Sequence, residues 1–420
     1  VKAEILSIGT ELLLGDILNT NAKFLAQELA GAGVEVYHQS VVGDNPGRLR
    51  EQLERSFARS QLVITTGGLG PTYDDLSKET AAAFFGRKLV EDKEILCWLE
   101  ERFRAIGCPM TDNNRKQALI PEGAQALANP NGTAPGIWME DGGRILVLLP
   151  GPPREMEPMF QNEVLPRLQQ ATGKVICSST IHLFGIGESA VEDRLRPMMV
   201  GYQNPTVAPY AKQGEVQLRI TAMAESREAA RQMIAPVRQE ICDSFGQLVY
   251  GVDVGSLQNA LVQTLLSYGR KVATAESCTG GMVSQRITQI PGSSGVFDCG
   301  VCTYANRIKH QLVGVSGEDL ERYGAVSEPV ALQMARGVRA LSGADIGIST
   351  TGIAGPDGGS PEKPVGLVYV GVSSEGYEEV LRLNLQGRGT DARDDIRYRA
   401  SSHALHLALK AARRLGPKEN

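Results

Sequence analysis

The sequence predicts an α/β protein in which two α/β sandwich domains with mostly parallel sheets are joined by a small α+β module. Three observations lead there. The first 170 residues alternate strand-like and helix-like hydrophobic patterns, as a parallel sheet covered by helices does. The stretch from Lys174 to Asp253 abandons that alternation for strand, helix, strand pair and helix. From Ser256 the alternation resumes and runs to a long closing helix.

In chain order, the first domain starts with a strand over 3–8 and an amphipathic helix over 19–30, and strands follow at 34–41, 61–65 and 144–149 with helical segments between them. The middle module reads as a strand over 175–184, a helix over 188–199, strands over 205–210 and 215–222, and a helix over 226–245. The third domain opens on S-L-Q-N-A-L-V-Q-T-L-L-S-Y-G, where Ser256 caps a helix and Gly269 stops it. Its strands are expected at 270–275, 297–303, 345–351, 366–373 and 378–385, before a helix over 394–415. The resulting boundaries are 1–172, 173–253 and 254–420. Globular chains commonly divide at about 150 residues per domain. The second boundary, G-V-D-V-G-S, is short and reads as a hinge.

Composition narrows the function. With 42% hydrophobic and 22% charged residues the chain can bury full cores. A net charge of -5 argues against a general nucleic-acid surface, because neutralising phosphates needs a positive face. It permits a small anionic substrate held by a few placed cations. The seven scattered cysteines (97, 108, 177, 242, 278, 299, 302) suit a reduced cytoplasm better than a disulfide framework. Cys299 and Cys302 are close in sequence, but a strand turns them to opposite faces and no second pair completes a zinc site. The chain begins on the strand-like A-E-I-L-S-I-G without the pattern of a secretory signal, and no apolar run reaches the roughly 20 residues that span a bilayer. A cytoplasmic location with no membrane partner is expected.

The segment A-E-S-C-T-G-G at 275–281 carries the strongest chemical signal. It lies between a predicted strand and a predicted helix, so Ser277 should occupy a tight turn with free backbone N–H groups, which Gly280 and Gly281 let a substrate approach. Three further turns of this domain fall at strand ends, where open α/β sheets bind ligands. They are T-Y-A-N-R-I-K with Tyr304 and Lys309, T-T-G-I-A-G-P-D-G-G with Thr351, Gly352 and Gly355, and R-G-T-D-A-R-D-D-I-R with Arg393 and Arg397. A nucleophilic Ser needs a base. His403 and His406 on the closing helix read as surface or packing residues, and without a G-x-S-x-G elbow a Ser-His-Asp triad ranks low. Lys309 is the better base, provided burial or a neighbouring cation moves its pKa from about 10.4 toward 7. Tyr304 could relay the proton. Cys278 is a rival nucleophile of greater intrinsic strength. Taken singly, Ser277 reads as a helix cap, Lys309 as a solvated helix residue and Tyr304 as a core aromatic.

Together A-E-S-C-T-G-G, T-Y-x-N-x-x-K, G-A-V-S-E-P and G-I-A-G-P-D-G-G resemble, in order and across the whole third domain, the C-terminal domain of the CinA (competence-damage-inducible) family. That domain deamidates nicotinamide mononucleotide. The resemblance implies Ser277 as nucleophile, Lys309 as general base and Tyr304 as their partner. It implies substrate-binding roles for Glu276, Thr279, Gly280, Gly281, Thr351, Gly352, Arg393 and Arg397. The implied reaction is attack of Ser277 on the carboxamide, loss of ammonia and hydrolysis of the acyl-enzyme to nicotinate mononucleotide, without a cofactor.

In the first domain, G-G-L-G-P-T-Y-D-D-L-S at 67–77 follows the strand Q-L-V-I-T-T and opens a helix. Gly67, Gly68 and Gly70 allow the backbone to wrap an anion, and Asp74 and Asp75 could hold a divalent cation against it. The alternative is that the two aspartates cap the helix. With G-T-E-L-L-L-G, N-T-N-A, V-G-D-N and P-G-P-P-R-E-M the loop resembles the molybdopterin-binding fold of the N-terminal half of CinA proteins, which is associated with metal-dependent ADP-ribose pyrophosphatase activity. The matching residues are Glu11, Asn19, Asn21, Asp44, the loop glycines, Thr72 and Asp75, with Asp75 favoured for metal or acid-base work. A divalent metal ion is implied, and a monovalent cation is a further candidate. Many relatives carry Thr where this chain has Ser77, which keeps the hydroxyl.

The middle segment resembles the KH-like domain of the same family, but no two of its glycines have the G-x-x-G spacing with which KH domains clamp nucleic acid. A structural or dimer-forming spacer in a homodimer is therefore expected. Two function classes follow. One is a nucleotide-salvage enzyme acting on nicotinamide mononucleotide and ADP-ribose. The other is a non-enzymatic competence or DNA-damage partner, against which the acidic charge and the missing loop count.

Overall fold

The computed structural model describes residues 1–173, 175–387 and 391–418; Lys174, which opens the middle module, and Arg388, Gly389 and Thr390 of the Arg/Asp run lie outside the described residues. The chain divides into two units, 1–178 with 221–234 and 179–220 with 235–420.

Alternation along β1 (Lys2–Ile8) explains the first sheet. Its Ala3 and Ile5 enter one hydrophobic cluster, while Leu6 and Ile8 enter another on the opposite face. The same split recurs in β3 (Leu62–Thr66), where Leu62 and Ile64 oppose Val63. A strand buried on both faces needs helices on both. Leu25 and Leu29 of the helix Thr20–Gly31 cover one side, and Leu49 and Leu53 of the helix Pro46–Phe57 cover the other. Each such side chain contributes about 1.5–3 kcal/mol by leaving water. With β2 (Glu35–Val42), β6 (Gln125–Leu127), β7 (Gly136–Asp141) and β8 (Arg144–Leu149) the sheet order is β2-β1-β3-β8-β7-β6. The four strands from β2 to β8 pair in parallel, and β7 and β6 pair antiparallel. Strands β4 (Leu89–Glu91) and β5 (Leu119–Pro121) form a separate ribbon.

Strands β9 (Val175–Phe184), β10 (Thr206–Lys212), β11 (Glu215–Ala224) and β12 (Val249–Val252) form a four-stranded sheet in the order β10-β11-β9-β12. In the second unit Phe184 lies against the closing helix, its ring centroid 4.9 Å from that of His403 and 4.4 Å from that of His406. Burial lowers both imidazoles to a pKa of about 4, so they are packing residues, neutral at pH 7, and not surface groups.

The last sheet contains β13 (Val272–Glu276), β14 (Phe297–Cys302), β15 (Ile346–Gly352), β16 (Leu367–Ser374) and β17 (Tyr377–Asn384), ordered β14-β13-β15-β16-β17. Its first three strands are parallel and its last two join antiparallel. Val272, Ile346, Ile348 and Val370 pack with the helices Leu257–Tyr268 and Ala392–Leu415, whereas Ala273 and Ala275 face the helix Glu328–Ser342. The alternation along β14 leaves Cys299 half-buried and Cys302 exposed, and all seven cysteines are free. No helix among the described residues is long and apolar enough to cross a membrane.

Candidate functional site

At the carboxyl end of β13 the chain turns sharply, and the turn is braced from three directions. Glu276, 1% exposed, points back under the turn. Its carboxylate accepts from the N–H groups of Gly281, Val283 and Ser284 at 2.8–3.0 Å and from the hydroxyls of Thr279 and Ser284 at 2.7 Å. A buried carboxylate at the start of the helix Met282–Thr288 satisfies orphan N–H groups and suits the helix dipole. From a second side, the Ser277 N–H donates to the Thr350 carbonyl at 2.9 Å, and Thr279 Oγ1 bonds Thr350 Oγ1 at 2.6 Å. From a third, Arg397 donates to the carbonyls of Cys278 at 3.2 Å and Thr279 at 3.0 Å. Gly280 and Gly281, at φ 59° and 95°, complete a path that L side chains rarely follow.

The turn leaves Ser277 at its edge, 9% exposed, and Lys309 behind it, 1% exposed. Lys309 Nζ lies 3.2 Å from Ser277 Oγ and donates to the carbonyls of Thr303 at 2.7 Å and Tyr304 at 3.0 Å. Burial lowers its pKa. The geometry serves both charge states. A neutral amine can give two N–H groups to the carbonyls and its lone pair to the Ser277 proton; an ammonium gives its third N–H to Ser277 Oγ.

Several expectations change here. Tyr304 is not a relay: its side chain is 64% exposed, Lys309 reaches Ser277 directly, and Tyr304 contributes its carbonyl. Glu276 and Thr279 brace the turn from within and do not face a substrate. The N–H groups of Gly280 and Gly281 are not free, being given to the Ser277 carbonyl and to Glu276. Thr351 is fully buried with its hydroxyl on the Ala325 carbonyl, and a Cβ at Gly352 would lie 2.6 Å from Val368. Arg393 holds the Gly355 carbonyl, and Arg397 is a clamp on the turn. Cys278 points into the hydrophobic core, where burial pushes its thiol up to about 12, so it is no rival nucleophile. Thr303 and Thr350 stand first in T-Y-A-N-R-I-K and T-T-G-I-A-G-P-D-G-G without an expected role, yet both hold the site, the Thr303 carbonyl accepting from Lys309 and the Thr350 carbonyl from the Ser277 N–H.

In the first unit, Glu11, Asp44, Asp74, Asp75, Glu155 and Gln117 line a cleft of about 390 Å³ around the Gly-rich loop. Gly67, at φ 107°, passes so close to β1 that a Cβ would sit 2.2 Å from the Ile8 carbonyl oxygen. Ser77 fixes the loop by donating from Oγ to the Gly67 carbonyl at 3.0 Å and from N–H to the Gly68 carbonyl at 3.1 Å. Asp75 accepts from the N–H and hydroxyl of Thr72, closing the loop on itself. The aspartates are not helix caps, since the helix Ser77–Phe84 starts at Leu76 with no side-chain cap bond. Asn19 caps the helix Thr20–Gly31 and bonds Ser7, and with Glu11 and Asn21 it lines a second cleft of about 360 Å³. Asn21 joins the strand ends through Thr66 Oγ1 at 2.8 Å and the Gly151 carbonyl at 2.7 Å. Asp44 accepts from Thr10 N–H and Oγ1, both at 2.9 Å. Among the described residues no three His, Cys, Asp or Glu side chains gather as a ready metal cage. Glu155 lies inside the quoted P-G-P-P-R-E-M motif, whereas Gln117 had no signal at all.

Comparison with known proteins adds three matches to family models: "Probable molybdopterin binding domain" over residues 4–170, "Damage-inducible protein CinA KH domain" over 178–251 and "CinA C-terminal domain" over 254–412. A CinA-like protein of Kosmotoga olearia is 49% identical over 411 residues, covering 98% of this chain and 99% of the relative. A crystal structure of the competence/damage inducible protein of Agrobacterium tumefaciens is 40% identical, covering 38% of this chain and 96% of that one, with a TM-score of 0.36. A structure of the CinA protein of Thermoplasma acidophilum is 34% identical over a similar 38% and 94%, also at TM-score 0.36.

Proposed function

This chain belongs to the CinA family, and from that premise we propose that its C-terminal site hydrolyses the carboxamide of nicotinamide mononucleotide to nicotinate mononucleotide and ammonia. The observation that carries the reading is the buried Lys309 amine, 3.2 Å from Ser277 Oγ and held by two carbonyls. Neutral Lys309 takes the Ser277 proton as Oγ bonds to the carboxamide carbon. It returns the proton to the nitrogen as the C–N bond breaks and ammonia leaves. Water then attacks the acyl-enzyme with Lys309 again as base, releasing the carboxylate and Ser277. The test is ammonia release from nicotinamide mononucleotide by wild type and Ser277→Ala. An unchanged rate in the variant removes Ser277 as nucleophile, and no activity in either removes the reading.

For the N-terminal cleft we propose metal-dependent hydrolysis of the ADP-ribose diphosphate. Five carboxylates line the cleft and no Lys or Arg does, so a diphosphate can enter only with cations. The absence of a three-ligand cage among the described residues fits a magnesium-type ion, which takes one or two carboxylates and shares its remaining positions with water and substrate phosphates. Asp74 and Asp75 would hold it. Bound there, the ion would neutralise the phosphates and stabilise the charge of in-line displacement. Asp75 also keeps the loop closed through Thr72. Nucleotide products from ADP-ribose with added divalent metals test this half, and Asp75→Ala should abolish them. Seven free thiols suit a cytoplasmic setting for both reactions.

A further inference from the structure

The short helix Met282–Thr288 leaves the Ser277 turn directly, and N–H groups at its start are the ones Glu276 accepts. Seven residues are too few to hold a helix by their own hydrogen bonds, so its direction is set by what it packs against. Its buried residues are Val283, Arg286 and Ile287. Val283 and Ile287 enter the hydrophobic core, an attraction without direction that lets a helix slide or roll. Arg286 supplies what they lack.

This arginine is only 3% exposed. Its Nη1 donates to Ser401 Oγ at 2.8 Å and to Ser402 Oγ at 2.7 Å, and its Nη2 donates to Gln258 Oε1 at 3.0 Å. The guanidinium carbon lies 4.4 Å from the centre of the Tyr398 ring. One planar fork thus joins the nucleophile helix to both the closing helix Ala392–Leu415 and the helix Leu257–Tyr268. All of these partners are neutral. Its Nε has no partner, and burial lowers its pKa. Glu215 of β11, itself buried, favours the charge only from beyond ion-pair distance.

A buried cation without a paired carboxylate is costly, and an apolar side chain in its place commonly destabilises a fold less. Cohesion therefore does not account for Arg286. Direction does, because a rigid fork meets its acceptors at fixed angles, as neither an apolar side chain nor a lysine can. The closing helix also answers in kind: its Arg397 holds the Cys278 and Thr279 carbonyls, while Arg286 holds its Ser401 and Ser402 hydroxyls. The nucleophile turn is tied to that helix from before and from behind. Resting on the reading of Ser277 as the nucleophile of a deamidase, we infer that Arg286 is a positioning residue of that site: its fork fixes the direction in which the helix leaves the turn and so holds Ser277 Oγ against Lys309.

The test compares wild type, Arg286→Met and Arg286→Lys as full chains by ammonia release from nicotinamide mononucleotide, thermal melting and hydrogen exchange. Methionine removes the charge and keeps an unbranched side chain, so melting should stay close to that of wild type. Its kcat should fall by about 10- to 100-fold with KM within about threefold, as a slightly misplaced reacting group requires. Amides 281, 283 and 284 should exchange about 10-fold faster while those of β16 keep their rates. Lysine keeps the charge and loses the fork, so it should lose kcat as methionine does. A kcat within about threefold of wild type in either folded variant, or unchanged exchange at 281, 283 and 284, overturns the inference. So does faster exchange throughout the C-terminal sheet together with lowered melting, which would make Arg286 a residue of general stability. Should Arg286→Met fail to fold, Arg286→Lys decides by the same readings. Absence of ammonia release from wild type rejects the deamidase reading and leaves exchange of the turn to decide the role of Arg286.

Discussion

Replacing Glu276 by Gln tests whether this residue braces the nucleophile turn or touches substrate. The carboxylate accepts five hydrogen bonds, three on Oε2 and two on Oε1. An amide nitrogen in place of Oε2 meets the N–H groups of Gly281 and Val283. In place of Oε1 it meets the Ser284 N–H, while the Ser284 hydroxyl can rotate to accept. The second arrangement is cheaper. It still loses one charge-assisted bond, about 1.5–3 kcal/mol, and strands a buried N–H, about 1–3 kcal/mol. The sum, about 2.5–6 kcal/mol, is a factor of about 10² to 10⁴ in a local opening equilibrium at 1.36 kcal/mol per decade. Hydrogen exchange resolved by mass spectrometry reads that opening without requiring two-state unfolding of a multidomain chain. Amides 281, 283 and 284 should exchange faster by that factor, up to the ceiling of global unfolding, and kcat for ammonia release should fall with them. Exchange within about threefold of wild type, with KM raised and kcat kept, would make Glu276 a substrate contact and refute the bracing role.

Lys309→Met should lower kcat for ammonia release by about 10⁴-fold or more, since a nucleophile and its base act as a unit. Because burial lowers the Lys309 pKa in the folded protein, the native state binds fewer protons than the unfolded one between that lowered value and the ordinary lysine value. Stability should therefore rise with pH across that window, the acylation rate should climb to a plateau above the lowered pKa, and Lys309→Met should abolish the dependence in both melting and single-turnover profiles. Cys278→Ala should retain most activity while losing about 1–3 kcal/mol of stability from its buried site, measured by ammonia release and denaturant melts; loss of catalysis without loss of stability would restore the thiol as nucleophile. Chelation should abolish ADP-ribose cleavage and leave ammonia release by the same preparation unchanged.

Much of the architecture was legible because burial on two faces leaves a periodic trace. The strands at 144–149 and 175–184 and the capped helix after Ser256 have the predicted ends, and most other strands shift by one or two residues. Strand direction was less visible. Alternation is the same in parallel and antiparallel strands, so the antiparallel joins at β7, β16 and β17 had to be read from connections. The two residues between β16 and β17 allow only a hairpin, and no helix separates β15 from β16. The short strand β6 and the ribbon of β4 and β5, of three residues each, carry too few side chains to show a period. At the sites, motifs located the turns but did not sort lining residues from bracing ones. Glu276 and Ser277 are adjacent, yet the last residue of β13 faces inward and the next leaves the sheet. Gln117 escaped notice because a three-residue turn has no pattern.

Both sites use one construction. A Gly-rich turn at the carboxyl end of a parallel strand is pinned by side-chain hydrogen bonds, those of buried Glu276 in one site and those of buried Ser77 and half-buried Asp75 in the other. What the rim of each site presents differs. Around Ser277 the buried group is a lysine whose two carbonyl partners fix the amine against a single hydroxyl, so proton transfer needs no metal ligand set. Around Gly67 the rim is five carboxylates with no basic side chain, a surface that repels a diphosphate until a cation sits between them. Lys78 and Lys116 do not line the cleft. Lys78 is buried, with burial lowering its pKa to about 8, and Lys116 is engaged by the Asp75 carbonyl and Glu79. On the proposed reading, the C-terminal site would turn over with its own side chains, whereas the N-terminal cleft would need a divalent ion to arrive with its substrate.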